Sequence, residues 1–441
     1  MQMKWSTLLS AKRFGVAGRD EATCTRTPFH KDHDRVVFSS SFRRLERKTQ
    51  VHPLRENDHI HSRLTHSLEV SCVGRSLGAQ VGEMLQGKLP ESITAADMGA
   101  IVQAACLAHD IGNPPFGHTG EDAIRHWFRD PNNAQYLQGL SSSQIRDFQV
   151  FEGNAQGLRI LTQLEYHRFE GGMRLTYATL GAFLKYPWHS GFQDPEKGEK
   201  FGVYGAELEY LHQIAAELGL IALSDGRYCR HPLVYLMEAA DDICYAIIDL
   251  EDGVEMNLLQ YSEVESLLLD LIGQDVPASY FDTSSEDPAR RRLAILRGKA
   301  IEIMVNSVSQ VFIDHEKDIL AGALKGDLIR LASPEVANCI ARAKSIAKQK
   351  IFKDPKKALI EIGAYTTLGS LLAAFLSAAS EVLSGEGVSY KSQRILELIG
   401  RHAPKPGWDK YQAYLRVVDY IAGMTDDYAV ELAQAIRGLQ H

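Results

Sequence analysis

Two histidines and three aspartates, carried on separate helical stretches, are the residues of this chain best suited to chemistry. They are His66, His109 followed directly by Asp110, and Asp241 followed directly by Asp242. Neutral imidazole and carboxylate, without a neighbouring thiolate, suit one hard or borderline divalent cation such as Mn, Mg, Fe, Co or Zn, and leave positions open for water and substrate. His109-Asp110 closes the apolar run 101–108 (IVQAACLA) just before the helix breakers Gly112, Asn113 and Pro114. A buried helix that ends in two polar side chains must find partners for both. A hydrogen-bonded helix end would satisfy one such pair taken alone; the further segments bearing His66 and Asp241 turn the reading toward a metal site.

The run 109–121 (HDIGNPPFGHTGE) adds His118 and Glu121 at the start of the next helix, where backbone N–H groups favour anions. A carboxylate beside histidine fixes its tautomer, and the imidazole then serves as general acid or base near neutral pH. Spacing alone fits a turn-capping His118 and an ordinary first-turn Glu121 equally well.

The elements that must position these groups are helical. A helix opening at Pro232 carries Leu233, Met237, Ala240, Cys244 and Ile248 on one stripe with Asp241 inside it, and an acid on a buried face needs a cation or a hydrogen-bond network. His66 lies on an amphipathic stretch whose core-facing set is read as Leu64, Leu68, Cys72, Leu77, Val81 and Leu85, with Arg63 on the same side, available to a phosphate. Capping boxes are expected at Thr94 to Asp97 and at Thr119 to Asp122. Loops are expected at 130–133, 191–202, 284–288 and 404–407. Strand alternation is scarce, so the fold class is all-α. A composition change near Asp252-Gly253 divides the chain into an amino-terminal segment (1–60), a core with the His and Asp residues (61–252) and a carboxy-terminal helical region (253–441).

The length of 441 residues, with 45% hydrophobic composition, is enough for a large core. A formal net charge of -8 disfavours wholesale attraction to nucleic acid or anionic lipid, so anion binding must rest on local basic patches. The six cysteines form no C-x-x-C pair and read as reduced structural thiols in a cytoplasmic protein. No signal-peptide pattern precedes the first helix. The apolar stretch 368–383 is interrupted by Ser377 and Ser380, reads as too short to span a bilayer, and is expected to be a buried helix, with no membrane role.

The order His66, His109-Asp110, Asp241 matches the H…HD…D pattern of HD-domain phosphohydrolases. The chain resembles one branch closely, the bacterial deoxyguanosine triphosphate triphosphohydrolases. The matching blocks are 35–51 (RVVFSSSFRRLERKTQV), 57–70 (NDHIHSRLTHSLEV), 107–121 (LAHDIGNPPFGHTGE), 151–161 (FEGNAQGLRIL), 175–187 (LTYATLGAFLKYP), 238–252 (EAADDICYAIIDLED) and 419–429 (DYIAGMTDDYA). The resemblance implies an HD-domain helical core with an additional carboxy-terminal helical region. It implies His66, His109, Asp110 and Asp241 as ligands of one divalent metal, Mn or Mg favoured, and His118 with Glu121 as the catalytic pair. Asp241 is chosen over Asp242 because Tyr245 and Asp249 follow it at the family spacing. Arg63 would meet the α-phosphate, Gln50 the deoxyribose or base edge, and Tyr245 and Asp249 the sugar and phosphate surroundings. Arg43, Arg44 and Lys48 would meet the triphosphate, although a solvated helix face would look the same. Asp427 stands where the family block more often has a basic residue, so no anion contact is implied there.

The implied reaction is metal-dependent hydrolysis of a deoxynucleoside triphosphate, dGTP favoured, at the α-phosphorus. Another HD phosphohydrolase acting on nucleoside monophosphates or cyclic nucleotides, or a catalytically silent nucleotide-binding regulator, are the rival readings; the latter should lack some of the six site residues, and all are present. The resemblance further implies a homo-oligomer that responds to dNTPs or single-stranded DNA. Basic clusters at 290–299 and 342–357 are candidates for such contacts, with solvated helix surface favoured for the second.

Overall fold

The computed structural model describes residues 2–16, 26–50, 60–165, 172–192, 198–273 and 288–439. Cys24, parts of the blocks at 51 and 57–59, 193–197 of the second expected loop and 284–287 of the third lie outside them. The chain is all-α, and extended pairing among the described residues is confined to isolated bridges such as Thr49 with Ser62.

Two helices form the frame of the site. Arg63–Met84 opens on a capping box in which Ser62 accepts from the Thr65 N–H and the Thr65 hydroxyl accepts from the Ser62 N–H. Ala95–Ala108 opens on the expected box of Thr94 and Asp97 and ends with His109 as its C-cap. They pack face to face through glycines. A Cβ at Gly74 would lie 2.4 Å from Cys106 Sγ, and one at Gly78 would lie 2.8 Å from the Met98 carbonyl oxygen. This close approach corrects the expected core face of the first helix. Leu77, Val81 and Leu85 are buried, but Leu68 and Cys72 are exposed, because the glycine side turns inward with Val70, Val73 and His66.

The helix Pro232–Glu255 starts on Pro232 as expected and buries Leu233, Met237, Ala240, Cys244 and Ile248 against the first pair. It continues unbroken through Asp252-Gly253. The apolar clusters do not divide there either: one gathers residues from Met3 to Ile351, and the other joins the 116–155 and 186–204 region to 364–433.

The second expected capping box is corrected. The helix Gly117–Arg129 begins before Thr119, because Phe116 and Gly117 take left-handed backbone conformations (φ 64° and 57°) that turn the chain into the helix early. Thr119 and Asp122 instead face the Pro355–Ser384 helix, hydrogen bonding to Glu361 (3.3 Å) and Tyr365 (2.5 Å).

The expectation about the apolar stretch 368–383 is corrected in its length argument. It lies within Lys357–Ser384, which is long and apolar enough to cross a membrane by length and composition. One face of the helix is buried, while Leu359, Ile362 and Tyr365 on it are exposed. Leu368, Leu371, Leu372, Phe375 and Leu376 are fully buried in the second cluster, each contributing roughly 1.5–3 kcal/mol.

Candidate active site

The start of the Arg63–Met84 helix, the end of Ala95–Ala108 and the interior of Pro232–Glu255 converge where the chemistry was expected. Nε2 of His66 lies 3.2 Å from Asp241 Oδ1, and Nε2 of His109 lies 3.6 Å from the same oxygen. One ligand atom from each of the three residues falls within 4.8 Å of the others. Nδ1 of His109 sits 2.6 Å from the Cys106 carbonyl, so this nitrogen carries the proton and Nε2 is left as the free lone pair facing Asp241. The donor set of two imidazoles and a carboxylate fits a divalent cation.

Asp110 borders this group, with Oδ1 3.7 Å from His109 Nε2, and also organises its surroundings. Its oxygens accept from Arg63 Nη1 (2.5 Å) and from Asn113 Nδ2 (2.6 Å). Burial alone would push Asp110 up, yet Arg63 and His109 outweigh it and hold the carboxyl below the usual range. Asp241 is likewise held low, burial being outweighed by His109 and His66. His66 is buried, and the hydrogen bond to Asp241 overrides burial and raises its pKa. Asp242 turns away and pairs with Lys344 at 2.5 Å.

The group lies in a cavity of about 630 Å³ whose wall includes Gln50, Arg63, His118, Tyr245 and Lys344. The His118 side chain is 79% exposed, and its Nδ1 meets Glu121 Oε2 at 3.1 Å. Burial would raise Glu121, but His118 and Lys200 outweigh it and hold the carboxyl down at about 2, so it is ionised at neutral pH. Its other oxygen accepts the Gly153 N–H at 2.7 Å, which gives block 151–161 a physical role. The turn from His109-Asp110 to the His118 helix admits only glycine at 112: a Cβ there would lie 2.1 Å from the Gly153 carbonyl oxygen.

The remaining expected residues divide. Among the described residues Gln50 Oε1 is buried without a hydrogen-bond partner, and Tyr245 packs its ring 6.2 Å from that of Phe352. Asp249 is not on the cavity wall; it is buried, neither oxygen has a partner among the described residues, and burial pushes its pKa to about 7 against the pull of His66. Arg43, Arg44 and Lys48 do not line the cavity. Arg43 is exposed, and Arg44 borders a separate cavity of about 440 Å³ with Tyr420 and Tyr428. Lys48 is buried and donates to the Asn113 and Ala422 carbonyls (2.6 and 2.7 Å); burial, with Arg44 nearby, lowers its amine to about 7.

Sequence reasoning missed Lys344, Phe352, Lys357 and Glu361, which complete the wall. Lys357 lies 4.4 Å from the Phe352 ring centroid and 3.6 Å from Glu361. Both lysines belong to the basic stretch 342–357, and that charge run was the available signal. The stretch at 290–299 is largely neutralised: Arg290, Arg292 and Arg297 pair with Glu255, Glu265 and Glu251.

An all-α frame that brings His66, His109-Asp110 and Asp241 into one cavity defines the HD class of hydrolases, and the model of the HD domain matches residues 63–225. A phosphohydrolase-associated domain matches 331–435. The chain belongs to the deoxyguanosinetriphosphate triphosphohydrolase-like family. It is 57% identical over 438 residues to a deoxyguanosinetriphosphate triphosphohydrolase-like protein of Pseudomonas aeruginosa, covering 99% of both chains. It is 42% identical to another from Synechocystis, covering 99% of this chain and all of that one. A Cronobacter sakazakii protein named deoxyguanosinetriphosphate triphosphohydrolase is 32% identical, over 91% of this chain and 92% of its own.

Proposed function

We propose that this hydrolase cleaves deoxynucleoside triphosphates, dGTP preferentially, at the α-phosphorus, releasing deoxynucleoside and inorganic triphosphate. The observation that carries the reading is one cavity that joins the His66, His109 and Asp241 group to Arg63, His118, Lys344 and Lys357. His66, His109, Asp110 and Asp241 would hold one divalent cation, Mn or Mg. When bound, that cation supplies Lewis acidity toward the phosphoryl group and the attacking water.

The side chains supply the rest. Arg63, steadied by Asp110, presents its remaining N–H groups to the α-phosphate. Ionised Glu121 accepts Nδ1–H of His118, and in the imidazolium form Nε2–H delivers a proton to O5′ as the bond from O5′ to phosphorus breaks, leaving the neutral imidazole. Water supplies the oxygen that replaces O5′ on phosphorus. Lys344 and Lys357 face the distal phosphates, a need that monophosphate or cyclic substrates lack. Gln50 and Tyr245 offer polar contacts to deoxyribose and base from the wall, with Asp249 buried one turn beyond Tyr245 and behind it. Arg43, Arg44 and Lys48 act from outside the cavity. The segments 1–60, 61–252 and 253–441 thus each contribute to one site rather than forming separate cores.

The dGTP preference is supported by the name of the Cronobacter relative. A cytoplasmic homo-oligomer with a dNTP or single-stranded DNA effector rests on the family resemblance. Incubation of the purified protein with each dNTP and Mn, followed by chromatography, tests the reading. Deoxynucleoside and triphosphate should appear, fastest from dGTP; turnover confined to monophosphates or cyclic nucleotides would replace it.

A further inference from the structure

We propose that Asp426, in the carboxy-terminal region, is a positioning residue: its carboxylate fixes the start of the His118 helix against the neighbouring Thr49-Gln50 segment of the cavity wall. The inference rests on the reading above that His118 and Arg63 act on the substrate.

Asp426 is buried at the first position of the helix Asp426–Ile436. Oδ1 accepts the Phe116 N–H at 2.9 Å, and Oδ2 accepts the Thr49 N–H and hydroxyl at 2.9 and 2.5 Å. Phe116 is the N-cap of the helix bearing His118 and Glu121, and its left-handed backbone is an uncommon conformation for a bulky residue. Such a conformation persists where its surroundings over-determine it, and the Asp426 hydrogen bond supplies one such restraint. Thr49 bridges to Ser62, the N-cap of the helix that presents Arg63 and His66. One carboxylate therefore sets the spacing between two helix starts, one bearing the proposed proton donor and the other the phosphate ligand.

A second bond set runs in parallel. Lys48 ties Ala422, at the end of the preceding helix, to Asn113, whose side chain holds Asp110. Fit at the cavity is acute here, since a Cβ on Gly117 would lie 2.4 Å from Arg63 Nη2.

Docking of the carboxy-terminal helices does not need Asp426. Asp419 anchors the Lys410–Ala422 helix through Arg159 (2.7 and 3.0 Å) and Gln156 (3.0 Å), all buried. Asparagine at 426 would keep the shape but turn an N–H₂ group toward N–H donors, so Phe116 or Thr49 loses its acceptor. The neighbouring Asp427, half-buried and 3.8 Å from Arg47, is the control.

The test uses the full chain with Asp426→Asn, Asp426→Ala and Asp427→Asn. Amide exchange by mass spectrometry, bound Mn, and kcat and KM for dGTP are measured. Both Asp426 variants should lower kcat about tenfold or more with Mn content unchanged, because small misplacements of reacting groups are costly. Peptides spanning Thr49 and Phe116 should exchange about tenfold faster, with the Lys410–Ala422 helix unchanged. Asp427→Asn should match wild type in every measurement. Wild-type kcat and exchange in Asp426→Asn would overturn the inference, as would faster exchange spread evenly over the carboxy-terminal helices. If the wild-type protein leaves dGTP intact, the substrate reading fails, and the exchange pattern still decides the positioning role.

Discussion

Positive charge is what the His66, His109 and Asp241 group is built to receive. Burial would raise Asp241, but His109 and His66 hold it low, and burial would lower His66, but its hydrogen bond to Asp241 holds it high. His66→Ala, His109→Ala and Asp241→Ala should each lose bound Mn and lower turnover at least about a hundredfold. Asp110→Ala should do the same and also release Arg63. Asp242→Ala, which removes only the partner of Lys344, should cost far less. Elemental analysis beside assays of the five variants checks this, and an inactive Asp242 variant beside an active Asp241 variant would reverse the assignment. His118→Ala and Glu121→Gln address the proton instead. Both should keep their metal while kcat falls about 10² to 10⁴-fold; metal loss in both would make them ligands.

At the scale of the element, the Asp241 helix depends on how it starts. His231 caps it by accepting the Leu233 N–H on Nδ1 (3.1 Å), while Nε2–H donates to the Leu8 carbonyl (3.0 Å). Protonating Nδ1 destroys the cap, and burial lowers this histidine to about 4. The unfolded chain therefore binds the proton first. Stability should fall as pH drops from about 6.5 to 4, by about 3 kcal/mol from this group. His231→Asn keeps the acceptor without the titration, so denaturant melts across that window should show a shallower pH slope; an unchanged slope would remove His231 from the account. Helices of this kind were legible because polar caps and apolar stripes obey local rules, as at Thr94 and Pro232. The inward face of Arg63–Met84 was not, since glycines that permit close packing carry no hydrophobic signal. The early start of the His118 helix was hidden for a related reason: it depends on the left-handed backbone at Phe116, braced by a carboxylate far along the chain.

Over the whole molecule, long-range bonds decide what a site is. The convergence of His66, His109 and Asp241 was readable from residue types and order, because imidazole and carboxylate on apolar helices demand partners. Lys344 and Lys357 looked like solvated surface, since only tertiary packing brings their helices over Asp242 and Tyr245. The composition change at 252–253 likewise has no counterpart in the continuous helix Pro232–Glu255 or in the apolar clusters. Block 419–429 also gains its meaning at this scale, through Asp419 on Arg159 and Asp426 on Phe116. Attack at the α-phosphorus of a triphosphate is tested most directly by hydrolysis of dGTP by the purified protein with Mn in ¹⁸O-water. Mass spectrometry should find unlabelled deoxyguanosine and inorganic triphosphate carrying one ¹⁸O. Deoxyguanosine mono- or diphosphate as the product, or label in the deoxyguanosine, would contradict the account.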